Sequence, residues 1–193
     1  MRNPLGIPQL GTLALAGGAA LLSAACTFSI DVGETVTQSF DVEDFDRLEV
    51  GSAFDATVVI GDETGVSFSI GEEIVDRLEV EVVDGKLTIG FDDGFLKTSG
   101  PMEVTITTPT LSSVKIDGAV DMEIDGIDAE DFEVDANGAV SLDANGTVET
   151  LTLNADGAAN IDLEDVKIET ATVDINGVSS VTITDAHAVT GSI

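Results

Sequence analysis

Val114-Lys115-Ile116-Asp117-Gly118-Ala119-Val120-Asp121-Met122-Glu123-Ile124 alternates apolar and polar residues on both sides of an Asx-Gly pair. The phrase returns at Val134–Ala144 around Asn137-Gly138, at Leu153–Leu163 around Asp156-Gly157 and at Val173–Ile183 around Asn176-Gly177. The four glycines are 20, 19 and 20 residues apart. Four and two residues before each glycine stand Val114/Ile116, Val134/Ala136, Leu153/Ala155 and Val173/Ile175. Four and six after it stand Met122/Ile124, Leu142/Ala144, Ile161/Leu163 and Val181/Ile183. All of these positions are apolar, and the residues between them are mostly polar. Period-two alternation on either side of a glycine corner reads as strand, corner, strand. Two short strands, a tight corner and a return describe one coil of a β-solenoid, whose inward row is buried only when coils stack about 4.8 Å apart. A meander or sandwich also has recurring turns, but it does not require the same inward row at a fixed offset.

Working outward, Leu48, Val50, Ala53, Phe54, Ala56 and Val58 repeat the pattern around Ser52 as one early coil. Residues 59–100 break the period. Val66–Ile70 reads as a strand, and Leu78–Val82 with Lys86–Ile89 as a hairpin across Val83-Asp84-Gly85. Helical content is confined to Glu72–Arg77, Asp92–Pro101 reads as a loop, and Val104–Thr107 resumes strand before Pro109 turns the chain into the repeats.

The amino-terminal stretch carries a different message. Arg2 is the sole charge before Asp31, and Leu10–Ala25 is a run of apolar and small residues ending at Cys26. A positive start, an apolar stretch and small residues before a cut site describe an export signal. Leu22-Ser23-Ala24-Ala25-Cys26 resembles the lipobox of bacterial lipoproteins, with Ser23 where Leu is commonest. That resemblance implies cleavage before Cys26 and a lipid on its sulfur; an ordinary signal cleaved after Ala25 would leave a free thiol instead. Gly17-Gly18 interrupts the run, which is short for a ~20-residue membrane span. The division expected is therefore a signal at 1–25, a lipid-anchor tether and cap at 26–44, and the solenoid at 45–193.

Composition bounds the chemistry. The 193 residues are one domain's worth, with 37 Asp+Glu against 7 Lys+Arg and a net charge of −30. Hydrophobic residues make up 43%, so the acidity belongs to a protein with a core and not to a disordered tail. Nucleic-acid binding wants a basic stripe, which is missing. The chain has no Trp or Tyr for stacking on bases or sugars, and its single Cys excludes a disulfide or zinc framework.

Three further segments carry a family resemblance. Phe45-Asp46-Arg47-Leu48-Glu49-Val50-Gly51-Ser52-Ala53-Phe54-Asp55 and Asp84-Gly85-Lys86-Leu87-Thr88-Ile89 are two of them. The third runs Val104-Thr105-Ile106-Thr107-Thr108-Pro109-Thr110-Leu111-Ser112-Ser113-Val114-Lys115-Ile116-Asp117-Gly118. Together they resemble the bacterial head GIN domain, an auto-transporter adhesin family of unknown function, over about residues 40–185. Asp117-Gly118-Ala119 departs from the more Gly/Ser-rich corner common there. The resemblance implies an all-β, right-handed β-solenoid, usually exported and often lipid-anchored, with no catalytic residues to carry over.

Candidate chemistry is sparse. Among so many acids carboxylate pairs arise by chance, and Lys115 and Lys167 are the basic residues of the repeats, too few to hold an acidic sugar for a solenoid hydrolase. His187, the chain's one histidine, reads as exposed near the carboxyl end, and no serine lies in a strand–elbow–helix context. Stacked coils place like positions in columns. One such column is Glu123, Asp143, Asp162 and Thr182; another is Asp125, Asn145, Glu164 and Thr184. The five acids of the two columns are weak Ca²⁺ candidates, because carboxylates about one strand spacing apart can hold a hard cation at a surface. A solvated acidic face is the plainer account, since no GGxGxDxUx or EF-hand loop occurs, so no metal or cofactor is expected. The corner column Asp117, Asn137, Asp156, Asn176 alternates charged and neutral residues, which keeps like charges off neighbouring strands. Open strand edges at the ends of such a stack invite assembly, which the net charge opposes.

These features predict a non-enzymatic, exported cell-envelope lipoprotein, held on the membrane through Cys26. Its acidic surface would serve as an adhesin or interaction scaffold for a surface glycan, protein or cationic peptide, and not for nucleic acid. The alternative is an envelope-stress or signalling module capturing cationic ligands or peptides by charge complementarity.

Overall fold

The computed structural model describes residues 33–91, 100 and 102–192. The loop expected over 92–101 lies, apart from Gly100, outside them. The elements are β1 (Thr35–Phe40), β2 (Arg47–Ser52), β3 (Asp55–Ile60), β4 (Gly65–Gly71), a 3₁₀ turn (Glu72–Arg77), β5 (Leu78–Val83), β6 (Lys86–Phe91), β7 (Met102–Thr108), β8 (Ser113–Gly177) and β9 (Ser180–Ser192). The fold is all-β. One nearly closed sheet runs β1-β4-β7-β3-β8-β2-β6-β5, with β9 on β8, around one apolar core.

The long β8 contains the repeats. Its first stretch pairs in parallel with β2 from Arg47↔Ser113 to Ser52↔Gly118, and with β3 from Asp55↔Asp121 to Val59↔Asp125. Its last stretch pairs in parallel with β9, Ile161↔Val181 through Leu163↔Ile183 and on to Asp174↔Ser192. Between these, the corner glycines line up one above another. A methyl group on Gly118 would stand 2.0 Å from the carbonyl oxygen of Ser52, on Gly138 2.2 Å from that of Gly118, on Gly157 2.5 Å from that of Gly138 and on Gly177 2.2 Å from that of Gly157. Consecutive corners are thus in backbone contact, and Ser52 opens the file with a positive φ of its own, 72°.

Of the sixteen apolar positions that define the repeat, all but Ile175, Val181 and Ile183 are buried, and those three pack half-exposed against the core at its last layer. The return segment is part of the sheet. It too is extended, and it buries Ile127, Phe132, Val148, Leu151, Val166, Ile168 and Ala171. A second corner also went unread: Gly146 stacks on Ile127, a methyl group there falling 2.1 Å from its carbonyl oxygen. Its spelling was present, because Asp125-Gly126 and Asn145-Gly146 are Asx-Gly pairs 20 residues apart.

The amino-terminal half departs from chain order. β2 and β3 form one layer, and their other edges pair in parallel with β6 (Arg47↔Lys86) and β7 (Asp55↔Glu103). The layer that comes first in the sequence therefore lies second in the stack, between 86–108 and 113–125. β4 then runs antiparallel on β7, β1 antiparallel on β4 and β5 antiparallel on β6. The β5–β6 hairpin turns at Asp84 (φ 51°) and Gly85 (φ 77°), the two positive φ values that match the twist of tight hairpins. β1 falls inside the segment expected to tether and cap.

Large rings fill this end. Phe68 meets Phe40 edge-on at 5.6 Å between centroids and Phe54 at 5.9 Å, and Phe54 stacks on Phe91 at 5.4 Å. Thr108, the buried polar residue of the core, has its hydroxyl 2.8 Å from the Phe45 carbonyl oxygen and 3.0 Å from that of Thr110.

Candidate functional site

A groove of about 640 Å³ lies on the outer face where β2, β6 and β8 meet. Arg47, Lys86 and Lys115 line it together with Asp131, Glu133 and Asp135. Three of the chain's seven Lys and Arg residues thus line a single groove of a protein with net charge −30. Parallel pairing places Arg47 beside Lys86 on one strand and beside Ser113 on the next, and Glu49 beside Lys115. The sequence separates these groups by up to 68 residues, from Arg47 to Lys115, so its local pattern left the cluster invisible.

Glu49 sits at the centre. Lys86 Nζ donates to its Oε2 at 2.5 Å and Lys115 Nζ to its Oε1 at 2.9 Å, while Lys115 also reaches Asp117 Oδ2 at 2.7 Å. Arg47 donates to the Asp84 carbonyl oxygen and lies 3.7 Å from Asp46. The hydrogen bonds from Lys86 and then Lys115 hold the Glu49 carboxyl below its ordinary value of 4.5. Hydrogen bonds to Asp117 and then Glu49 hold Lys115 above the usual lysine range. Both shifts lead away from neutrality, whereas general acid–base catalysis wants groups poised near it. Glu49 and Lys115 therefore act as fixed charges suited to binding.

The sign of the Glu49 shift sets a pH dependence. A lowered folded-state value stabilises the fold above the unfolded value, and that stability is lost as pH falls through the folded one. Glu49→Gln should lower the denaturant midpoint at pH 7, and the gap between variant and parent should close as pH falls below 4.5. A gap unchanged from pH 7 to pH 3 would show that the carboxylate charge is not what Glu49 contributes.

Across the surface, the groove's Asp135 included, carboxylates meet neutral donors. Asn145 Nδ2 donates to Asp125 Oδ1 at 2.6 Å while its own Oδ1 accepts the Gly126 N–H at 2.9 Å. Asn154 donates to Asp135 at 2.9 Å, and the Ser192 hydroxyl donates to Asp174. Asn145→Asp removes one such donor and sets two carboxylates side by side. It should cost about 1–2 kcal/mol, and 1 M NaCl should recover part of that loss in a urea titration.

Of the Ca²⁺ candidates, Glu123, Asp143 and Glu164 are exposed, Asp125 is tied to Asn145, and Asp162 accepts the Glu164 N–H at 3.0 Å. Among the described residues no three His, Cys, Asp or Glu side chains come together as a metal-holding group. His187 is exposed on β9, and Cys26 and the signal segment lie outside the described residues. No helix among the described residues is long and apolar enough to cross a membrane.

A stack of extended segments with fixed charges on its outer face defines an all-β protein. The chain belongs to the family described as "Putative auto-transporter adhesin, head GIN domain", whose model matches residues 44–193. Among solved structures, a "putative adhesin" from Bacteroides fragilis aligns with TM-score 0.71 at 17% identity, over 84% of this chain and 97% of that one. A second, from Parabacteroides distasonis, aligns with TM-score 0.68 at 23% identity, over 85% and 71%. A protein from the same organism described as a "putative lipid binding protein" aligns with TM-score 0.61 at 17% identity, over 83% and 78%. At these identities the likeness is one of fold. No curated protein matches the sequence.

Proposed function

We propose that the protein is a non-enzymatic, exported cell-envelope lipoprotein, cleaved before Cys26 and anchored by a lipid on that residue. Its coils wind as a right-handed β-solenoid and present an acidic surface for adhesion to a surface glycan or protein. The observation that carries this reading is the glycine file. Backbone contact from corner to corner fixes the register of successive layers, so outward side chains stand in rigid columns at strand spacing. Such a surface recognises a partner by charge and spacing, without a proton-transferring group. Family membership and the fixed charges around Glu49 support the same reading.

Two measurements test it. Cells fed a lipid precursor should label the protein, and Cys26→Ser should abolish the label and release it from the membrane fraction. An unlabelled parent would remove the anchor from the proposal. The purified mature protein should retain surface glycans or envelope proteins on a column. Retention of cationic peptides alone would favour the alternative, a module that captures cationic ligands. Failure of both would leave the surface without an adhesive role.

A further inference from the structure

We infer that the exposed edge of β9 is a self-association surface, on which a second copy of this chain pairs antiparallel about Ala186. Among the described residues β9 has a strand partner on one side, β8. The core opens beside it in an apolar groove of about 360 Å³ lined by Val173, Ile175, Val181, Ile183 and Val189. Val189 is 57% exposed, and Ile175, Val181 and Ile183 are half-buried where their counterparts in earlier layers are sealed.

Charge narrows the choice of occupant. β9 carries one carboxylate, Asp185, and one imidazole, His187, in thirteen residues. Of the two edge strands at the other end, β5 carries Glu79 and Glu81, the inserted charges that discourage strand addition, while β1 carries none. A neutral or cationic partner would not need an edge cleared of carboxylates. A partner as acidic as this chain would, because like charges directly opposite each other on paired strands repel.

The order of residues in β9 then supplies complementarity with itself. Its midpoint is Ala186, and antiparallel pairing about that residue sets Asp185 opposite the partner copy's imidazole at position 187, and the reverse. Ile183 faces the valine at 189, Thr182 faces the threonine at 190, and Thr184 faces the alanine at 188. The stacking on β8 agrees. Val181, Ile183, Ala186, Val189 and Gly191 lie over the buried or core-lining residues Ile161, Leu163, Ile168, Ala171 and Val173, so the inward set is itself symmetric about position 186. The register of β9 against β8 shifts between Ile183 and Asp185, where β8 has extra residues. Pairing about Ala186 sets the same patch of each copy against itself, as an isologous contact requires.

Sedimentation velocity over a wide range of concentrations tests this with the whole mature chain. The parent should pass from monomer to dimer as concentration rises. His187→Asp places carboxylate against carboxylate in both symmetry-related pairs and should weaken the dimer by about tenfold or more. The exchanged pair Asp185→His with His187→Asp sets an imidazole opposite each carboxylate again and should restore dimerisation. Both sites are exposed, so thermal melts of the variants should match the parent's. A parent that stays monomeric throughout, or a dimer indifferent to His187→Asp, overturns the inference. So does a dimer that the exchanged pair fails to restore.

Discussion

Replacing Gly138 by alanine should lower the melting temperature by about 6–12 °C or more, from a loss of about 3 kcal/mol or more. Two penalties add. Gly138 has a φ of 114°, where an L side chain is strained, and the new methyl would stand 2.2 Å from the Gly118 carbonyl oxygen, with that residue's carbon and nitrogen at 3.1 and 3.2 Å. Those atoms are backbone of the neighbouring layer, so relief requires prising layers apart at the corner. Gly90→Ala is the matched control. It too lies in a strand, no atom comes within 4 Å of an added methyl, and its φ carries no such strain. It should melt within a degree or two of the parent. If both variants melt together, the corners are not in contact and the stacked reading of β8 fails.

Phe68→Ala should cost about 3–5 kcal/mol, measured as a lowered urea midpoint at unchanged slope. Phe68 is fully buried and touches two other rings, Phe40 from β1 and Phe54 beside β3. Removing it opens a ring-sized cavity at the end of the core where the layers are closed by antiparallel strands. The neighbouring backbone is held by β7 on one side and β1 on the other, which limits collapse into the gap. Phe68→Leu keeps most of the volume and should cost less than half as much. Equal effects would mean that ring geometry, and not filled volume, is what this end requires.

The repeats were legible because each corner has a spelling. Asx-Gly is needed where the backbone turns through positive φ beneath a neighbouring layer, and alternation marks which side chains face inward. The β5–β6 hairpin, spelled Asp84-Gly85, and the short turn at Glu72–Arg77 were legible for the same local reasons. Alternation names a face, however, and not a neighbour. Nothing local in Leu48–Val58 says that this layer pairs with both Lys86–Phe91 and Ser113–Gly118. The placement of Arg47, Lys86 and Lys115 in one groove was therefore hidden with it. The return segments carry an inward row of their own that keeps the same offset, since the buried Phe132, Leu151 and Ala171 each stand six residues before a corner glycine.

The out-of-order layer has a consequence for how the molecule is made. β2 and β3 emerge early from any amino-first process, yet half of their backbone partners belong to β8, which is synthesised later. Until residues 113–125 arrive, that early pair has an exposed ladder on one edge and cannot complete its burial. Assembly is thereby tied to long-range closure, the slow step in sheet proteins. The finished layer then becomes a clasp: pulling on the amino end strains bonds to both the preceding and the following halves, so the molecule resists unravelling from that end one turn at a time.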